Sequence, residues 1–452
     1  MPRTRPDAVD VLEQLLTFLP CAAPPTYRES TIWSDRETRL VDVAATPEEG
    51  ANAGIDGSRL VPFHDHAPLS VLDLAPISEG SNPAAALANT IDLAQHAEQW
   101  GYRRYWVAEH HFVAVAGSNP AVLIGQIAGA TTTIRVGSAA VQVGQTTAVS
   151  VVESFGLLDA FHPGRIDLGL GRSGQRRAEA VTATPTPSTP TPSTPTPSTP
   201  AVTLPSIPRP SRVVDGVVLP EPFDVSALLA NSRLARSFEV LTQPGAQTPD
   251  FAEQVADIAA LLEGTYRSPS GLQLHAVPGE GADVELWIFG SSKGQSAQVA
   301  GARGLPFVAN YHVSPGTTLE AVQAYRAAFR PSAVLAEPYV VVSADVVVAE
   351  DDDTARHLAS TYGHWVYSIR SGHGAVEYPD PATAPPLDDE QRALVADRLE
   401  TQFVGSPDTV VERLAALGKL TDADELVITS VTHDHGDRLR SHELLAKKWG
   451  LI

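Results

Sequence analysis

The chain is 452 residues long, 43% apolar, with a formal net charge of −21, enough for one large α/β domain or two or three smaller ones. The acidic balance argues against a nucleic-acid-binding surface and against attraction to anionic lipid. A single cysteine, Cys21, excludes an intramolecular disulfide and a cysteine metal cage, while Met1–Pro20 lacks the apolar core of a signal peptide and no run reaches the roughly 18 apolar residues of a membrane span, so a cytoplasmic protein is expected.

Residues 1–67 read as a largely disordered extension, because Pro20, Pro24, Pro25 and the stretch Glu48–Gly57 favour loop around one short amphipathic segment. His64-Asp65-His66 reads as linker. Leu69–Ala75 is predicted as strand, Asn82–Trp100 as helix and Tyr102–Val107 as strand. A parallel crossover of this kind brings the residues just after its second strand, Glu109-His110-His111, to the carboxyl edge of a sheet, where α/β proteins place their chemistry. Ile134–Val143 is β-rich. Val149–Phe161 has helical spacing, with Phe155, Leu158 and Phe161 on one side, and His162-Pro163-Gly164 stops it before the strand Arg165–Leu170. Thr184–Pro200 is three copies of Thr-Pro-Thr-Pro-Ser and a final Thr-Pro. Proline at this density makes neither helix nor ladder hydrogen bonds, so 183–210 is expected as a solvated polyproline II loop inserted into the domain.

Beyond the insertion, helices are predicted over Ser226–Leu241, Pro249–Leu262, Gly294–Arg303, Thr318–Phe329, Asp352–Tyr367 and Pro407–Leu417, with a terminal helix from Arg438. They alternate with strands at Glu285–Phe289, Pro306–Ala309, Tyr339–Val348 and Glu425–Thr429. About eight strands with intervening helices over 68–452 favour a (β/α)8 TIM barrel over an open sheet. The missing Gly-x-Gly-x-x-Gly after the first strand argues against a dinucleotide-binding fold.

Four strand-end features could carry chemistry, and each has an ordinary structural alternative. Glu109-His110-His111 offers a base and an electrostatic group, or histidines that only brace a loop. Gly137-Ser138-Ala139-Ala140 lets a flat ligand lie on backbone, or serves tight packing. Gly169–Gly174 carries Arg172, a forked donor suited to phosphate, or is a flexible loop. Gly290–Ser296 places amides and hydroxyls at a helix amino terminus, an anion site to which Lys293 would add charge, or is plain capping by Ser291 or Ser292. Together they suggest a phosphorylated planar cofactor. His433-Asp434-His435-Gly436-Asp437 shows no preformed metal frame and reads as solvated loop or pocket wall, so no metal is expected. Asp351-Asp352-Asp353 reads as helix capping.

From about Pro68 onward the chain resembles the luciferase-like flavin monooxygenases. The resemblance is carried by Trp106-Val-Ala-Glu-His-His-Phe112, Val136-Gly-Ser-Ala-Ala140, Phe161-His-Pro-Gly-Arg-Ile-Asp-Leu-Gly-Leu-Gly-Arg172 and Gly290-Ser-Ser-Lys-Gly-Gln-Ser296, running into Gly304-Leu-Pro306. It implies that His110 sits by the flavin ring as proton donor or acceptor, with Glu109 as its orienting or electrostatic partner. Ala139-Ala140 would be a non-prolyl cis peptide under the isoalloxazine. Arg172, with Ser291, Ser292, Gly294, Gln295 and Ser296, would hold the phosphate. It further implies reduced FMN from a separate flavin reductase, reaction with O2 through a C4a-peroxyflavin, oxidation of a small organic substrate such as an aldehyde or ketone, and a homodimer. Gly171 stands where luciferase itself has a reactive cysteine, which weakens any inference of light emission. Trp106, Phe112 and Tyr311 are candidate apolar shields or, equally, core packing, and Tyr311-His312 and Ser371–Tyr378 candidate pocket walls. F420-dependent hydride transfer, and a flavin-binding protein without catalysis, remain as alternatives.

Overall fold

The computed structural model describes residues 66–172, 211–224, 236 and 240–452. Eight parallel strands form its centre: β1 (Leu69–Asp73), β2 (Arg104–Val107), β3 (Arg135–Ser138), β4 (Ile166–Gly171), β5 (Glu285–Gly290), β6 (Phe307–Ala309), β7 (Val340–Val348) and β8 (Glu425–Thr429). Each pairs with the next, and β8 returns to β1 with Leu426 opposite Leu69 and Ile428 opposite Val71, so the sheet closes without an open edge. The helices are α1 (Pro83–Gln99), α2 (Pro120–Ala130), α3 (Ala148–Phe161), α4 (Phe251–Leu262), α5 (Gln295–Ala302), α6 (Thr318–Ala328), α7 (Asp352–Leu358), α8 (Tyr362–Arg370), α9 (Asp389–Thr401), α10 (Pro407–Thr421) and α11 (His435–Trp449). The chain is a (β/α)8 barrel.

The 183–210 insertion, the 1–67 extension except His66 and Ala67, and nearly all of the helix expected at Ser226–Leu241 lie outside the described residues. The His66 ring rests 4.7 Å from that of Trp449, whose indole N–H donates to Ala67 O at 2.7 Å. Among the described residues no helix is long and apolar enough to cross a membrane.

Helix starts follow local chemistry. Asn82, Asn119 and Ser406 each accept a backbone N–H of the first turn, and each is followed by a proline at the first helical position, whose missing N–H costs nothing there. Asp351 caps α7 as expected from the acidic run. Several expectations need correction. Phe155 and Leu158 are buried but Phe161 is 77% exposed, because three-residue steps drift about 60° around a helix at each step. The single helix expected over Asp352–Tyr367 is two, Asp352–Leu358 and Tyr362–Arg370, separated by a turn at residues 359–361. The terminal helix begins at His435, three residues early, because Asp434 accepts the N–H groups of Gly436 and Asp437. The β-rich run Ile134–Val143 is interrupted after Ser138, and Val141–Gln142 pairs separately with Leu170 and Gly171.

The barrel interior is filled in layers. At its amino-terminal end lies a charge cluster in which Arg103, Arg104 and Arg135 face Asp167, Glu285 and Glu425. Arg104, 2% exposed, donates to Asp167 and Glu285 at 2.9 Å each and lies 4.4 Å over the Trp287 ring. Trp106 Nε1 donates to Asp167 at 2.8 Å, and Trp106 packs edge-on against Trp287 and Phe289. Gly137 is required here, since a Cβ would stand 2.5 Å from that of Asp167 and 2.9 Å from the Trp106 ring. Outside the strands, Asp73 pairs with Arg438 of α11 and accepts the Tyr105 hydroxyl, tying the last helix to β1.

Burial alone would raise the carboxyl pKa of Asp73 and Asp167. Arg438 for the first, and Arg135 with Arg104 for the second, outweigh it and hold both below the ordinary range. A depressed carboxylate adds stability that is complete above its unfolded pKa, about 4, and is lost as pH falls through the folded value. Arg104→Met preserves apolar bulk but leaves buried acids without their cation. It should cost about 3–5 kcal/mol in urea unfolding and shift acid unfolding to higher pH; a variant as acid-resistant as the parent would show that Arg135 alone carries the cluster.

Candidate functional site

The carboxyl end of the barrel holds a cavity of about 450 Å3, lined from the ends of β1 to β7 and from α8 and α9. After β2, Glu109, His110 and His111 reach it together. Of the two roles expected for Glu109, its hydrogen bonds do not go to His110, and its charge acts on that ring. Its Oε1 pairs with His111 Nε2 at 2.9 Å, its Oε2 accepts Gln142 N at 2.9 Å, and its carbonyl accepts Gln142 Nε2 at 2.8 Å. Glu109 therefore clamps the loop after β3 to the loop after β2. The His110 backbone is fixed by donation to Gly117 O at 2.8 Å, while its ring is open to the cavity. Protein surrounding that ring lowers its pKa; the Glu109 carboxylate opposes the shift and His111 adds to it.

After β3 the Ala139–Ala140 peptide is cis, and both residues line the cavity. Ala139 N donates to Val107 O at 2.8 Å, which seats this floor against β2. Arg172 at the end of β4 and Ser291, Ser292 and Ser296 after β5 form the next wall. α5 begins at Gly294 with no side chain capping it, so its first N–H groups are left for another acceptor. A Cβ at Gly294 would stand 3.3 Å from Ser292 Oγ and 3.6 Å from Arg172 Nη1, so the missing side chain keeps a cradle open between them. Two expected contributors turn away from this cradle. Gln295 Nε2 donates to Asp250 at 2.7 Å, and the exposed Lys293 pairs with Glu320 at 3.2 Å.

The remaining wall comes from β6, β7, α8 and α9. His312 Nδ1 lies 2.6 Å from Ser343 Oγ; burial, Arg398 and His110 push its pKa down to about 3. Asp345 accepts Gln402 Nε2 at 2.9 Å, and burial pushes its carboxyl up. Arg398 donates to the Tyr362 hydroxyl. Trp365, Ile369, Val113 and Val115 supply apolar surface, with Gly374 and Ala375 beside them. Of the two readings for the aromatic candidates, core packing holds for Trp106 and Tyr311, while Phe112, at φ +60°, is 57% exposed outside the cavity and fits neither. His433 and His435 are also elsewhere, bonded to Glu79 O and Asp92.

Of this wall, only His312 and the segment Ser371–Tyr378 were expected from sequence. Asp345 is the one acid in a nine-residue strand otherwise made of valine, serine and alanine, a signal that could have been read. Arg398 and Trp365 carried none, since they reach the cavity through packing of α8 against α9.

The sequence model of the luciferase-like monooxygenase family matches residues 68–190 and 243–423. YvbT of Bacillus subtilis (strain 168), an uncharacterized protein, is 35% identical over 393 residues, covering 84% of this chain and 96% of its own. The crystal structure of apo-MsnO8 superposes with a TM-score of 0.65 at 29% identity, over 86% of this chain and 99% of that one. The oxygenating constituent of 3,6-diketocamphane monooxygenase from Pseudomonas putida, a type II Baeyer–Villiger monooxygenase in complex with FMN, shares the fold at a TM-score of 0.53 and 17% identity, over 85% and 97% of the two chains.

The two cavity histidines should titrate differently. In a histidine NMR titration His312 should stay neutral down to about pH 4, one unit above its pKa of about 3. His110 should have a midpoint below the ordinary imidazole value, and Glu109→Gln should lower it further by removing a carboxylate that favours the cation. An upward shift in Glu109→Gln would reverse this electrostatic assignment.

Proposed function

The chain belongs to the luciferase-like monooxygenases, and we propose that it uses reduced FMN and O2 to oxidise a small organic substrate of the aldehyde or ketone type. The observation that carries this reading is the meeting, in one cavity, of an anion cradle, a flat backbone floor and a histidine open to the space between them. Bound reduced FMN would supply two electrons to O2, so that one oxygen atom enters the substrate and the other leaves as water.

The residues divide the work. Arg172 presents a planar fork to the phosphate, and the open amides of α5 add the positive end of a helix dipole, with Ser291, Ser292 and Ser296 as hydroxyl donors. Gly294 leaves room for the phosphate to approach the backbone. Ala139 and Ala140 support the ring without side chains that would lift it. His110, neutral at pH 7 because its pKa is lowered, takes up or returns a proton at its open ring nitrogen. Glu109 is a positioning residue: it fixes the two loops that carry His110 and the floor, and its charge moderates the histidine's pKa. Leu72, Leu74, Val113, Val115 and Phe289 exclude water that would otherwise divert the oxidant to hydrogen peroxide. A separate flavin reductase would deliver the reduced cofactor.

The test is a titration of the full chain with reduced FMN and with reduced F420, followed by mixing with oxygen. Binding of FMN and oxidation kinetics distinct from those of free FMN are expected. Binding of F420 alone, or oxidation identical to that of free FMN, would overturn the proposal in favour of a hydride-transfer enzyme or a flavin carrier. Arg172→Met and Gly294→Val should each weaken FMN binding by about 10-fold or more, the scale of one lost charge-assisted contact. His110→Ala should leave binding within about 3-fold while raising the share of oxygen released as hydrogen peroxide.

A further inference from the structure

The β7 side of the cavity carries a second cation, Arg398, besides the Arg172 of the proposed phosphate cradle. Arg398 extends from α9 to the cavity wall, where the hydroxyl of the fully buried Tyr362 takes one of its donors and the Tyr362 ring lies 5.7 Å from the guanidinium carbon. A guanidinium has five N–H donors. Among the described residues no carboxylate forms an ion pair with Arg398. Its helical neighbour Asp397 is spent on a bidentate pair with Arg370. Asp345, the acid of this wall, accepts Gln402 Nε2 and makes no ion pair with Arg398; burial raises its pKa, and Gln402 and the Arg398 charge oppose that shift without cancelling it.

A second observation points the same way. Trp365, 7% exposed, lines the same wall, and its indole N–H has no acceptor. A buried donor left unpaired costs about 1–3 kcal/mol, a penalty that an arriving acceptor removes. The nearby His312 stays neutral and so leaves Arg398 as the charge that decides which ligands this wall attracts. Val113, Val115 and Ile369 supply apolar surface to the same cavity.

We propose that Arg398 and the Trp365 N–H form an anchor for a carboxylate, and that the organic substrate is a short aliphatic acid whose oxidisable carbon lies at the far end of its chain. The planar fork of Arg398 matches the two oxygens of a carboxylate, and Trp365 offers one further donor. The apolar wall sets the distance between the anchored end and the reacting end. The identity of the oxidised compound rests on the monooxygenase reading above; the binding of the acid does not.

Hexanoate and hexanamide have nearly the same size and shape and differ in charge, so they serve as probes. Calorimetric titration of the full chain, with and without FMN, should show hexanoate binding at least about 10-fold more tightly than hexanamide. Arg398→Met should abolish that preference while leaving FMN affinity within about 2-fold, and Arg398→Lys should keep part of it, since a point charge replaces the fork. Equal affinity of the parent protein for both probes overturns the proposal without need of any variant, and so does a preference that survives in Arg398→Met. A preference for hexanoate in a protein that binds no FMN supports the acid anchor and sinks the flavin reading instead.

Discussion

The rest of the barrel depends on the charge that Arg104 buries at the amino-terminal end of its interior. Burial opposes the guanidinium, and Asp167, Glu425 and Glu285 overcome that opposition and stabilise its charged form. Because the donors and acceptors sit on β2, β4, β5 and β8, the cluster fixes the mutual register of strands distant in sequence. A slip of one residue would turn its members outward and leave charges unpaired in the core. The same cluster decides where a ligand can go. It closes one end, Trp106, Trp287 and Phe289 fill the middle, and the cavity opens at the carboxyl end.

At that end the walls differ in chemistry around a shared space. The loops after β4 and β5 supply a cation, hydroxyls and open amides next to a glycine that keeps them accessible. The β7 side supplies a different cation with apolar surface beside it. His110 lines the same cavity, and the protein around its ring lowers its pKa while the Glu109 charge opposes that shift. Glu109 influences it through charge while its hydrogen bonds go to His111 and Gln142, so rigidity of the loops and tuning of the base come from one side chain.

Local patterns were legible because they obey local rules. The spacing placed helices at Asn82–Trp100 and Pro407–Leu417 and a strand at Tyr339–Val348, and α1, α10 and β7 start within one residue of those positions. The same local reading misjudged Phe161, where a three-residue spacing looks aligned over one turn but not over two, and it missed the turn at residues 359–361 that divides the helix expected over Asp352–Tyr367. It also gave Lys293 and Gln295 to the anion cradle by adjacency alone. In space each meets an acid from another element, Glu320 and Asp250, and turns away.

The sequence by itself determined the alternation that makes a (β/α)8 barrel, and the strand-end groups Glu109-His110-His111, Ala139-Ala140, Arg172 and Ser291–Ser296, since strand order in a parallel barrel fixes which edge each loop occupies. Only the tertiary structure decided which of these groups touch. Glu109 chooses His111 over His110 because the loop after β3 holds its carboxylate from the other side. Arg398 and Trp365 become cavity walls because α8 packs on α9, two helices with no motif in common. Contacts of that kind are set by the packing of surfaces remote in the chain, and no spacing within it records them.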